Sequence, residues 1–267
     1  MTAAVVAPAS FAEEGGHWYT TDGTPMYEIV GKNGVLRNTT LRDARTLNLL
    51  PSTTGIIRMA AAPALEKWKR KQMMMACLTL PREPDESEES WLSRVETDWQ
   101  AEGKAAAARG TLIHGAVECA VRGDAVALEF VPHVAEALRV LAIATGLPAI
   151  AWSAERSFGH QLGYGGKTDL HTSLPAGGWV VDVKTKDADT LADLPTKLYD
   201  DHVMQLASYR RGVNVPGARC GILFVGRGVP LASFVEAGAD ALAQGTAMFD
   251  ALLSFWQAKN KYRPTFQ

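Results

Sequence analysis

Gly163-Tyr164-Gly165-Gly166-Lys167-Thr168-Asp169-Leu170 and, after a polar turn, Trp179-Val180-Val181-Asp182-Val183-Lys184-Thr185-Lys186 decide how this chain is read. Both segments read as strands. From Trp179 to Lys184 the second is apolar except for one carboxylate and one ammonium two residues apart, which a period of two puts on one face. Val181 and Val183 take the other face, so the strand is expected to be buried on both sides. Burying Asp182 and Lys184 is expensive unless something pairs with them. A divalent cation held by Asp182 and Asp169, with Lys184 beside it, would offset that cost and supply chemistry.

Working outward, Ala149 to Phe158 reads as the preceding strand and carries Glu155, and Pro175-Ala176-Gly177-Gly178 reads as the turn inside the opening pair. Downstream, Asp189 to Asp201 is polar and contains Pro195, so it is expected to be a loop or lid. Asp201 to Gly212 reads as a helix with Gln205 and Tyr209 on one face. Cys220 to Val225 reads as a buried strand with Leu231 to Val235 beside it. Ala239 to Lys259 reads as a closing helix with Leu242, Phe249, Leu252, Leu253 and Trp256 at helical spacing.

Further upstream, Pro132 to Gly146 reads as a helix, and Trp91 to Arg122 as a long alanine-rich one with Gly103 and Gly110 as breaks. His114 and Glu118 lie four apart on its face, as a structural pair or as part of a metal site. Arg82 to Glu89 is acidic and reads as a linker. Ala64 to Leu78 reads as a helix carrying Lys67, Lys69, Arg70 and Lys71, either a solvated face or the wall of a nucleic-acid channel. Met73-Met74-Met75 within it reads as adaptable core. Thr39 to Leu50 reads as a short helix. Ser52, Thr53 and Thr54 start another, either as caps or as a phosphate-binding helix N-terminus. His17 to Arg37, with Asp22-Gly23 and Asn33-Gly34, reads as a small β-meander, and residues 1–16 as a loose arm.

The 267 residues are enough for a large core. A net charge of -2 and a pI near 6.3 exclude a histone-like basic protein but leave room for a local basic groove. Three scattered cysteines, Cys77, Cys119 and Cys220, with no CxxC, fit a reduced cytoplasmic protein. They argue against a zinc ribbon, a disulfide framework or a four-cysteine iron–sulfur cluster. Met1 to Ala12 lacks the basic region of a signal peptide, and no apolar run approaches a membrane span.

Four features therefore line up: a helix with His114, a strand with Asp169, a strand with Asp182-Val183-Lys184, and a helix with Gln205 and Tyr209. Two carboxylates, an imidazole and the Val183 carbonyl make an oxygen-rich set suited to magnesium or manganese. Lys184 would orient a water or stabilise the transition state of phosphodiester hydrolysis.

This order, Gly-x-x-Asp, then Asp-x-Lys in an apolar strand, then Gln-x-x-x-Tyr on a helix, resembles the PD-(D/E)XK nuclease superfamily in its RecB-like branch. Within that branch the chain is similar to the group of phage exonucleases and mitochondrial genome maintenance exonucleases. Pro51-Ser52-Thr53-Thr54-Gly55-Ile56-Ile57 resembles the helix start of the same group, so the likeness spans residues 50–212. It implies an α/β (α+β), restriction-endonuclease-like core with a central mixed β-sheet flanked by helices, plus an N-terminal β-hairpin and helical segment. The expected division is 1–38 as arm and hairpin and 39–267 as one nuclease domain, with 39–125 as a helical gate and 126–267 as the catalytic core.

The resemblance also implies metal ligation by His114, Asp169, Asp182 and Val183, catalysis through Lys184, Asp182 and Asp169, and support from Gln205 and Tyr209. Ser52, Thr53, Thr54, Lys67, Arg70 and Lys186 become expected DNA contacts, and Glu118 and Glu155 candidate additions to the site. The expected cofactor is Mg2+ or Mn2+, with no iron–sulfur cluster. The expected partners are single-stranded DNA or duplex ends and a recombination or single-strand-annealing protein, with oligomer formation open and no membrane. The expected setting is the cytoplasm of a bacterium or infected host cell. The expected activity is exonucleolytic, in replication, recombination or repair; a structure- or site-specific endonuclease, or a degenerate DNA-binding subunit, are the alternatives. Asp182 stands where many superfamily members carry Glu. No Walker motif is present, so the chain holds no helicase motor.

Overall fold

Short strands and long helices precede the main sheet. A computed structural model describes residues 17–61, 63–172 and 177–266; the arm expected over 1–16 and the Pro175-Ala176 half of the turn lie outside the described residues. The first four strands are β1 (Trp18–Tyr19), β2 (Glu28–Val30), β3 (Leu36–Asn38) and β4 (Leu50–Pro51). They do not make the expected meander. β2 and β3 form a hairpin around Asn33-Gly34, whereas β1 pairs with β4, which lies beyond α1 (Leu41–Leu47). The Asp22-Gly23 turn closes only an isolated bridge between Tyr19 and Pro25. The helix expected over Thr39 to Leu50 ends at Leu47, because Asn48 adopts a left-handed conformation and Leu50 enters the ladder with Tyr19.

Ser52 then caps the five-residue α2 (Thr53–Ile57), its Oγ accepting from the Gly55 N–H at 3.0 Å. α3 (Pro63–Thr79) and α4 (Glu88–Arg122) pack against each other as a helical hairpin. α4 runs unbroken for 35 residues, on the order of 50 Å, between a Ser87 cap and a left-handed Gly123. Gly103 and Gly110 do not interrupt it. Gly110 is instead a close-approach residue, since a Cβ there would sit 2.5 Å from the Thr185 hydroxyl. The three methionines of α3 are not core: Met73, Met74 and Met75 are all exposed. The α3 helix rests on α4 through its Ala76 side and leaves the methionines facing water.

After α5 (Val131–Thr145) comes one mixed sheet of five strands. These are β5 (Ser153–His160), β6 (Tyr164–His171), β7 (Trp179–Lys186), β8 (Arg219–Gly226) and β9 (Ala232–Ala237), side by side in that order. The β5 strand starts four residues later than expected because Ala149–Ala151 forms a 3-10 turn. All neighbours are antiparallel except β7 and β8, whose parallel pairing runs from Trp179↔Arg219 to Lys186↔Gly226. A parallel pair needs a crossover, and α6 (Asp200–Gly212) supplies it. α7 (Ala239–Asn260) follows β9.

The sheet has a core on each face. Val180, Ile222 and Phe224 pack with Leu206 of α6 and Phe249 of α7, while Val181, Val183 and Leu223 pack with Ile113 of α4 and Val134 of α5. The chain is thus mixed α/β, with a central five-stranded sheet flanked by helices and an N-terminal hairpin. Among the described residues no helix is long and apolar enough to cross a membrane.

Candidate active site

The central strands part where the two aspartates stand. β6 and β7 pair only through Leu170↔Val181 and His171↔Val180. One residue further along, the Asp169 side chain takes over from the ladder, its Oδ2 accepting the buried Val183 N–H at 2.7 Å. Asp182 and Lys184 share a face of β7, as their spacing requires, and both meet Gln205 on α6. The Gln205 amide donates to Asp182 Oδ1 at 2.7 Å and to the Tyr209 hydroxyl at 3.0 Å, and its carbonyl oxygen accepts from Lys184 Nζ at 3.0 Å. Lys184 Nζ also lies 2.7 Å from Asp182 Oδ2. Gln205 therefore locks acid and base into one arrangement, with Tyr209 one turn further on.

The second half of α4 brings in His114. Its Nε2 is 2.8 Å from Asp169 Oδ2 and its Nδ1 is 2.9 Å from Glu118 Oε1. Glu118 in turn faces Glu155 of β5, which is held by Lys167 and, at 3.2 Å, by Arg122. The depth of these groups is uneven. Asp182 is 1% exposed and Asp169 7%, while the Lys184 and His114 side chains remain 32% and 28% exposed. Two carboxylates thus form the floor, and an ammonium and an imidazole the mouth.

Burial pushes the Asp182 carboxyl up to about 7, with Lys184 pulling it down and Asp169 pushing it further up. Asp169 is equally deep, but the His114 imidazolium and Lys184 beside it overcome the burial and lower it to about 2. For His114, burial favours the neutral ring, yet Asp169 and Glu118 hold it well above the ordinary histidine value. Lys184 behaves likewise: burial lowers it, and Asp182 and Asp169 more than restore its charge. Without a cation the pocket balances its carboxylates with a proton, an imidazolium and an ammonium.

A divalent cation fits this donor set. Ligand atoms of His114, Glu118 and Asp169 lie within 4.8 Å of one another, a set of carboxylate oxygens and one imidazole nitrogen that could hold a metal ion. That group contains Glu118 where the sequence reading had Asp182, whose oxygens are engaged by Gln205 and Lys184. Val183 stands at the centre through its backbone, with its N–H on Asp169.

The expected DNA contacts are dispersed. Thr53 is fully buried, its hydroxyl donating to the Gly165 carbonyl at 3.3 Å and accepting from Ser208 Oγ at 3.4 Å. Ser52 is buried beside it and bridges to Gly165, leaving Thr54 partly open. The Thr53 hydroxyl and the Ser52 backbone thus tie the start of α2 to β6, and Thr53 also to α6. Lys67 and Arg70 are exposed on α3, remote in packing from the sheet, and Lys186 is half-buried at the end of β7. The two glycines of Gly165-Gly166 serve close approach: a Cβ at Gly165 would lie 2.8 Å from the Tyr19 ring. Tyr19 in turn shares a 2.8 Å hydroxyl hydrogen bond with Tyr27.

Sequence reasoning missed Lys167, Arg122, Tyr19 and Tyr27. Lys167 was within reach of it, two residues before Asp169. The tyrosines carried no local signal, since Tyr19 meets Gly165 of β6 from a distant strand and Tyr27 is tied to it through the Tyr19 hydroxyl.

No family model and no curated protein matches the chain. Among solved structures, it is similar to a provisionally named exonuclease from Eubacterium rectale at 14% identity and a TM-score of 0.40. That match covers 57% of this chain and 68% of the other. It is also similar to the protein SSO0001 at 12% identity and a TM-score of 0.32, over 76% of this chain and 89% of that one. Likenesses of that size carry no argument, and the functional reading rests on the chain's own geometry.

Proposed function

We propose that this chain is a metal-dependent deoxyribonuclease of the PD-(D/E)XK type, in the RecB-like branch, that hydrolyses phosphodiester bonds from DNA ends. The observation that carries it is the Lys184 ammonium, fixed between Asp182 and Gln205 at the mouth of a buried pair of aspartates that faces His114. An ion pair with one fully buried partner adds little to stability on its own, which favours a chemical role for the arrangement.

In this reading His114, Asp169 and Asp182, with the Val183 backbone, would hold Mg2+ or Mn2+, and Glu118 stands against the other nitrogen of the His114 ring. When bound, the cation neutralises phosphate charge and lowers the pKa of a coordinated water. The chain's own residues do the rest. Lys184 donates to the attacking water or to a non-bridging phosphate oxygen as negative charge builds there. Gln205 orients the Lys184–Asp182 pair by bonding both partners, and the Tyr209 hydroxyl accepts from the Gln205 amide. Lys67 and Arg70 on α3, and Lys186 beside the site, supply phosphate contacts that position a strand.

The test is digestion of end-labelled single- and double-stranded DNA with Mg2+ or Mn2+, read at nucleotide resolution. Lys184→Ala and Asp182→Ala are expected to lower the rate by roughly 10²- to 10³-fold or more. Full activity in both variants ends the proposal, and cutting of covalently closed circular DNA moves it from exonuclease to endonuclease.

A further inference from the structure

We propose that Glu118 is a positioning residue of this centre, that it sets which nitrogen of His114 faces the cation, and that Glu155 keeps it in place. The inference deepens the metal-site reading above and rests on it.

The two ring nitrogens of His114 point at two different carboxylates. Nδ1 lies 2.9 Å from Glu118 and Nε2 2.8 Å from Asp169. A neutral imidazole carries one N–H, and the group that accepts it decides the tautomer. With Glu118 accepting the Nδ1 proton, Nε2 is left to offer its lone pair beside Asp169. A carboxylate behind a ligating histidine fixes the ring and raises its basicity.

Two observations separate this from a simple i, i+4 pair on a helix surface. First, Glu118 is buried, at 6% exposed, although Glu88, Glu89, Glu96 and Asp98 of the same helix face water. Its neighbour there is a second carboxyl, Glu155. A buried acid set against a second carboxyl, even one that reaches the surface as Glu155 does, opposes stability unless the arrangement has a use. Second, Glu155 is held in a left-handed conformation, φ +57°, in the middle of strand β5. It falls between the pairs Ala154↔Leu170 and Arg156↔Thr168, so it stands opposite Asp169. Non-glycine residues adopt that conformation at a cost and cluster where a side chain must be aimed. Here Glu155 faces Glu118, and Lys167 of β6 and Arg122, one turn beyond Glu118 on α4, pair with it. The order Lys167 and Arg122, Glu155, Glu118, His114, Asp169 is one continuous chain of contacts from the surface to the floor of the site.

The test reads metal binding and tautomer, and neither needs cleavage. Titration calorimetry with Mn2+ alone is run on the wild-type chain, Glu118→Ala, Glu118→Gln and Glu155→Gln. The ring nitrogens of His114 are followed by 15N–1H NMR in the metal-free protein at a pH where the ring is neutral. Glu118→Ala is expected to weaken Mn2+ binding by roughly 10- to 100-fold and to lose the Nδ1–H tautomer. Glu118→Gln keeps an acceptor and is expected to restore the tautomer and part of the affinity, and Glu155→Gln to give an intermediate loss. A purely structural tie between α4 and β5 predicts changed melting temperature with unchanged tautomer and Mn2+ affinity; that result overturns the proposal. So does a wild-type chain that binds no Mn2+. Weakened Mn2+ binding in a chain that cuts no DNA upholds the positioning role while ending the nuclease reading.

Discussion

The two halves of α4 belong to one helix and live in different environments. From Glu88 to Arg109 almost every side chain is open to water, Val95 being the one buried residue among those described, and the main neighbour is α3. From Gly110 to Glu118 the same helix presses on the sheet, burying Ile113, Ala116, Val117 and Glu118 and bringing His114 to Asp169. The change falls at Gly110, where the missing side chain lets the helix touch Thr185 of β7. The lesson is about how a site and its approach are built. Groups that must hold fixed geometry sit where two cores converge, while the hairpin of α3 and early α4 buries little and is the segment expected to open at least cost.

That contrast can be broken most sharply by packing. Leu206 is fully buried between α6 and the sheet, so Leu206→Ala is expected to lower unfolding stability by about 2–5 kcal/mol in denaturant melts. Met74, 60% exposed on α3, should change stability by less than about 0.5 kcal/mol when made Ala. Equal losses would mean that the hairpin is as tightly built as the core.

A second test uses pH. The folded protein holds the Asp182 proton up to about 7, well above the ordinary carboxylate value. Between roughly pH 4 and 7 the cation-free folded state therefore binds more protons than the unfolded chain, and its stability falls as pH rises through that window. Asp169 works in the opposite sense, its contribution fading only as pH falls toward about 2. In the presence of a chelator, the melting temperature should decline from pH 4 to 7, and Asp182→Asn should flatten that decline. Exposed carboxylates of the hairpin should leave it unchanged. Added Mn2+ should restore stability at neutral pH by replacing the proton.

The smallest effect sharpens the comparison from the other side. Lys67→Ala combined with Arg70→Ala should weaken DNA binding severalfold, reduce its salt dependence by up to about two counterions, and leave the cleavage step intact. A drop in single-turnover rate with unchanged affinity would place these cations in the chemistry instead.

Much of this architecture is legible in the sequence because it is local. A period of two puts Asp182 with Lys184 and Val181 with Val183, and the structure has the first pair on Gln205 and the second in the core with Leu223. A spacing of four does the same for Gln205 with Tyr209 and His114 with Glu118. Local signals also mislead in identifiable ways. Asp22-Gly23 and Asn33-Gly34 both turn the chain, but turn chemistry does not say which strand pairs with which, and β1 found β4. Gly103 and Gly110 look like helix breaks, yet a glycine costs a helix only about 1 kcal/mol, which the contacts of a 35-residue helix absorb. Met73 to Met75 have the composition of core, but α3 has too few neighbours to cover them.

By itself, then, the sequence determined the strands and helices, the faces on which Asp182, Lys184, Gln205 and Tyr209 stand, and the order in which the acidic and basic groups arrive. Tertiary structure decided that Asp169 caps a backbone N–H where β6 and β7 part, that burial pushes the Asp182 carboxyl up while His114 and Lys184 pull Asp169 down, and that Glu155 is turned toward Glu118. Each of these depends on groups far apart in sequence sharing a volume that excludes water, and periodicity along a chain carries no record of such distances.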